Sequence, residues 1–93
     1  MTDIWADLMQ NRRNIVLHAI NDRINAIADK GHRPKTLIVY SPIRNSLEFT
    51  TFAIMKRRRL RFDAELEPKN AGDTEDQIVD IIISQYLQQV EKL

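Results

Sequence analysis

Lys56-Arg57-Arg58-Arg59, with Arg61 just beyond, puts five cations into six consecutive positions. Adjacent cations repel one another and add nothing to a fold. Such a run reads as a contact for phosphates or for an acidic protein surface, each cation adding a salt-dependent term. Its plainer use is a solvated loop that guards an edge strand against aggregation. Tyr40, Phe52 and Ile54, with Ile38, are expected on the exposed face of a sheet beside this run. Exposed aromatics stack on nucleic-acid bases, at about 1–3 kcal/mol per base. A contiguous apolar patch serves equally as a homodimer interface, which is its commoner use. Arg12 and Arg23 fall inside the apolar stripe of a helix. There an arginine either pairs with a buried carboxylate or holds a bound anion. Asp63, Glu65 or an acid of the last helix is the expected partner.

Other chemistry finds little support. His18 and His32 stand fourteen residues apart, which is not a metal-ligand spacing, so no metal is expected. There is no Gly-rich phosphate loop and no Ser with a base beside it, and no cofactor is expected. Asp63 and Glu65 belong to a solvent face, which does not raise a carboxyl pKa. The chain therefore reads as a non-enzymatic module. Trp5 reads as a lid on the core.

Composition sets the frame. Ninety-three residues fit a single domain, 1–93. With no cysteine there is no disulfide, thiolate metal site or cysteine nucleophile. That suits a reducing, cytoplasmic setting. The N-terminus lacks the basic and apolar regions of a secretory signal, and no apolar run is long enough to span a membrane. The net charge of +1 conceals blocks. Residues 36–61 hold six cations and one acid, whereas residues 62–93 hold two cations and eight acids. An end-to-end charge asymmetry is the simplest folded outcome.

Apolar residues at helical spacing, from Trp5 and Leu8 through Val16, Ile20, Ile24 and Ile27, predict a helix over 3–30. Thr2 or Asp3 caps its start, and Gly31 and Pro34 stop it. The polar stretch 10–14 predicts a bend or restart, with Asn11 or Asn14 as a second N-cap. Residues 36–41 are β-branched and aromatic, hence a strand. Residues 47–67 alternate as a hairpin turning near Arg57-Arg58. Met55 is set opposite Leu60, Ala53 opposite Phe62 and Phe49 opposite Leu66, a register open by two residues. Thr74 and Gln77 predict a capping box for a helix over 74–92. The fold class is α+β: two layers, a three-stranded antiparallel sheet flanked by N- and C-terminal helices, α-β-β-β-α.

This order of elements resembles the double-stranded-RNA-binding fold and the small Alu-binding proteins of the signal recognition particle. The first resemblance implies lysines at the start of the last helix, where this chain has Asp73, Thr74, Glu75 and Asp76. The second implies RNA on the outer sheet face, carried here by Arg59, Arg61, Phe52 and Tyr40. The leading expectation is a homo-oligomeric protein-interaction module, such as an adaptor, inhibitor or assembly factor, that meets an acidic surface through the basic hairpin and outer sheet face. The alternative is a nucleic-acid-binding protein contacting phosphates through residues 56–61.

Overall fold

The computed structural model describes residues 5–93. The capping role assigned to Thr2 or Asp3 lies outside them. The first helix is interrupted where its sequence turns polar. Leu8–Arg12 winds as a π-helix, and α1 follows over Arg13–Asn25. No second N-cap forms: the Asn11 amide donates to Asp7 Oδ1 at 2.8 Å, and the chain stays helical through it. Trp5, Leu8, Val16, Ile20 and Ile24 are buried on one side. The helix ends five residues before the expected Lys30, because the Asp29 N–H leaves the helical ladder and donates to the Ile54 carbonyl at 2.7 Å. Ile27, expected in the stripe, is consequently exposed. Gly31, at φ 89°, reverses the chain in the left-handed region that favours glycine.

Strands β1 (Lys35–Ser41), β2 (Ser46–Met55) and β3 (Arg58–Leu66) form an antiparallel sheet with β2 in the centre. The β2–β3 register resolves the open choice by a shift of two. Met55 faces Arg58, Ala53 faces Leu60, Thr51 faces Phe62 and Phe49 faces Ala64. A shift of two keeps every side chain on its face, so Phe49, Phe62 and Ala53 still meet the helices.

On β1 the expected faces are reversed. Ile38 lies opposite Phe49 and Tyr40 opposite Leu47, both core residues. Paired residues share a face, so Ile38 and Tyr40 belong to the helix side, and Leu37 and Val39 to the outer side. Tyr40 is partly exposed all the same, and its hydroxyl donates to Asn45 Oδ1 at 3.1 Å.

A 3-10 turn, Pro68–Asn70, leads to α2 (Glu75–Val90), which opens with the expected Thr74–Gln77 capping box. Ile78, Val79, Ile82, Ile83 and Tyr86 bury against the sheet. From the same helix, Gln85 and Gln89 reach the outward edge of β3. The Gln85 amide donates to Glu65 O and accepts from Glu65 N–H. Gln89 does the same for Asp63. Four helical residues rise about 6 Å and two strand residues about 6.8 Å, so two glutamines one turn apart match alternate peptides of a strand.

One polar chain crosses the core. The hydroxyls of Tyr86 and Thr51 lie 2.9 Å apart, and those of Thr51 and Thr36 lie 2.7 Å apart. Thr36 donates to Asn21 Oδ1 at 2.7 Å. The chain ties α2, β2, β1 and α1 together, and the Phe62 ring packs on Tyr86 at 5.8 Å between centroids. Among the described residues no helix is long and apolar enough to cross a membrane.

Candidate nucleic-acid interface

The β2–β3 connection is Lys56-Arg57, and both residues are left-handed, with φ of 51° and 63°. A two-residue hairpin turn of this type favours Asn-Gly, since a Cβ at such a φ costs about 1–2 kcal/mol. Asp29 holds the strained turn from below. Its carboxylate accepts from the Lys56 N–H at 2.9 Å and from the Arg57 N–H at 2.8 Å. Replacing Asp29 by Ala removes both charge-assisted bonds. It is expected to cost about 2 kcal/mol, read from urea unfolding followed by the fluorescence of Trp5.

The Asp29 contacts also decide what surrounds the turn. They draw the loop after α1 against the hairpin, so that Arg33 and Lys35 stand beside Arg59. Gly31, His32, Arg33, Lys35, Arg59 and Leu60 line a groove of about 520 Å³ together with Phe52, Ala53 and Ile54. Phe52 is 43% exposed, and Lys35 and Arg61 are its cross-strand neighbours. Among the described residues, Arg33, Lys35, Lys56, Arg57, Arg58 and Arg59 enter no side-chain salt bridge. Three uncompensated cations, Arg33, Lys35 and Arg59, thus line the groove with one exposed aromatic ring, and Lys56, Arg57 and Arg58 add positive charge at the adjoining hairpin tip. A second surface groove, of about 290 Å³, is different. Its Arg44 pairs with Glu65 at 3.2 Å, and its Arg61 with Asp63 at 3.1 Å. Both of its cations are thus already paired with carboxylates.

The residues singled out from the sequence are therefore divided. Arg59, Phe52 and Ile54 come together in the groove, with Lys56 and Arg57 at the adjoining turn, whereas Arg58, opposite Met55, starts β3 on the other face. Arg61 joins them, partly neutralised by Asp63. Tyr40 does not, because it belongs to the opposite face.

Arg12 and Arg23 lie elsewhere and are structural. The Arg12 guanidinium donates to the carbonyls of Asp73 and Ala71, both at 2.6 Å. Its Nε stands 3.2 Å from Asp7 Oδ2, near enough for an ion pair but not aligned for a hydrogen bond. Glu75 adds a more distant carboxylate at 3.9 Å. Arg12 so fastens the loop before α2 to the π-helical segment. Arg23 pairs with Asp80 of α2 at 3.1 Å on an exposed surface, and the buried position expected for it is corrected. Glu75 and Asp80 are acids of the last helix, one of the expected sources, whereas Asp7, the nearer partner of Arg12, was not among them.

Sequence reasoning missed Arg33 and Lys35 as site residues. They flank Pro34 where the α1–β1 loop enters β1, about twenty residues from the cationic run. The one local signal was Asp29 at the end of the helix, whose role depends on a tertiary contact.

The turn chemistry yields a second stability expectation. Exchanging Lys56-Arg57 for Asn-Gly should stabilise the protein by about 1–2 kcal/mol in the same unfolding measurement, since it removes the strain while leaving both N–H groups for Asp29.

Compared with known proteins, the chain matches no family, no curated protein and no solved structure. Its likeness to the double-stranded-RNA-binding and Alu-binding folds accordingly goes no further than the order of elements.

Proposed function

We propose that this protein is a non-enzymatic module that binds single-stranded nucleic acid in the groove between the α1–β1 loop and the β2–β3 hairpin. One observation carries the reading: three unpaired cations, Arg33, Lys35 and Arg59, line one groove with the exposed Phe52 ring, and the cationic hairpin tip adjoins it. Cations track the phosphates, and the ring offers a stacking surface that any base can use. The strained Lys56-Arg57 turn supports it, because a residue pair kept at a cost in stability is expected where the side chains have a task. The acidic start of α2, Asp73, Glu75 and Asp76, argues against duplex RNA docked as in the double-stranded-RNA-binding fold.

A second reading is an acidic protein partner, favoured by the net charge of only +1. Fluorescence anisotropy with a short labelled oligonucleotide, titrated at several salt concentrations, separates the two. Phe52→Ala should weaken oligonucleotide binding by about 10- to 100-fold without changing the salt dependence. Unchanged affinity in that variant removes the stacking role. No binding by the unaltered protein at low salt removes the nucleic-acid reading and leaves the acidic protein.

A further inference from the structure

The two edges of the sheet are treated differently. On β3, the outward N–H and C=O groups of Asp63 and Glu65 are taken by Gln89 and Gln85. The remaining outward positions of that edge, Arg59 and Arg61, carry cations, which discourage strand addition. On β1 the alternation of the ladder turns Thr36, Ile38 and Tyr40 outward. Their backbone groups meet no backbone partner outside the strands among the described residues. Val39 and Leu37, beside them on the outer face, are 55% and 43% exposed.

We infer that β1 pairs antiparallel with β1 of a second copy of this chain, about a two-fold axis at Ile38, to make one six-stranded sheet. The strand is complementary to itself in that register. The outward residues fall opposite outward residues: Ile38 faces Ile38 of the second copy, and Thr36 faces Tyr40, so each free N–H finds a free carbonyl. On the outer face Leu37 meets Val39 of the second copy, covering apolar surface that is bare in one chain. Lys35, the strand's sole charge, falls opposite Ser41, so the two lysines sit at opposite ends, about 20 Å apart along the strands. A foreign strand would need all these matches supplied from outside.

Proline tests this cleanly at a position whose N–H faces outward. Tyr40→Pro removes a bond that the single chain does not use, and edge strands accept Pro there. Val39→Lys is the companion variant. It keeps every backbone group and changes an exposed side chain. The measurements are sedimentation velocity from micromolar to several hundred micromolar protein, and amide hydrogen exchange of Thr36, Ile38 and Tyr40.

The unaltered chain should reach twice its 10.9 kDa mass, with those three amides protected. Each variant should raise the dissociation constant about tenfold or more and expose the same amides. A chain that stays monomeric throughout overturns the inference. So does a dimer that Val39→Lys leaves intact with the three amides exchanging freely, or one dissolved instead by Phe52→Ser on the outer face. If Tyr40→Pro does not fold, Val39→Lys decides alone.

Discussion

Reversing Arg57, Arg58 and Arg59 to Glu is expected to lower affinity for a single-stranded oligonucleotide by at least about a hundredfold at low salt. The size follows from counting phosphates. For single strands the logarithm of affinity falls with the logarithm of salt at about −0.7 per neutralised phosphate. If four to six of the unpaired cations each meet one phosphate, the slope is about −3 to −4. Raising salt from 50 to 200 mM then costs the unaltered protein about a hundredfold. The triple reversal deletes three contacts and adds repulsion, so both affinity and slope must drop. The fold should survive, because all three side chains are exposed and Asp29 binds the backbone of the turn. Parallel titrations of both proteins at four salt concentrations give the answer. A variant with unaltered affinity and slope would locate the binding surface away from the hairpin.

Stability should fall steeply above pH 10, and Tyr86 should be the reason. Burial pushes the Tyr86 hydroxyl from its ordinary value of 10.0 up to about 12; the Thr51 hydroxyl opposes the rise, and the Asp63 carboxylate adds slightly to it. The folded value lies above the unfolded one. The unfolded chain therefore releases this proton first, and the contribution of Tyr86 is complete below pH 10. It is lost as pH climbs through 12, by about 1.4 kcal/mol per unit and about 3 kcal/mol in all. Tyr86→Phe isolates the effect. At neutral pH the variant lacks the bond to Thr51 and should be about 1 kcal/mol less stable. Having no proton to lose, it should overtake the unaltered protein near pH 11. Urea unfolding of both proteins from pH 8 to 11.5 would reveal the crossing, and parallel curves would separate Tyr86 from the alkaline loss.

Much of the architecture was legible because local chemistry and tertiary structure agree. Thr74 and Gln77 marked the start of α2 unaided, and the alternation from Leu60 to Leu66 fixed the buried face of β3. Legibility failed where a distant group intervened. Asp29 ended α1 early by turning to Ile54, and the same contact carried Arg33 and Lys35 to the hairpin. Residues 36–41 are apolar on both sides, so alternation alone could not orient β1. Pairing with Phe49 and Leu47 did, and it removed Tyr40 from the proposed stacking surface. The cationic run itself was plain in the sequence. The sequence did not disclose that its turn is strained, or that its counter-charge is spent on backbone N–H groups.

The glutamine pair on α2 bears on how far assembly can proceed. A sheet open at both margins can add chains without limit, which is the geometry of a fibre. Here Gln85 and Gln89 occupy one margin from within the chain, and arginines flank the rest of it. Joining two copies through β1 uses the open margin of each, leaving only sealed ones outside. In a dimer joined that way growth would stop at two, and replacing Gln85 and Gln89 with alanine would leave only Arg59 and Arg61 to guard the outer margin.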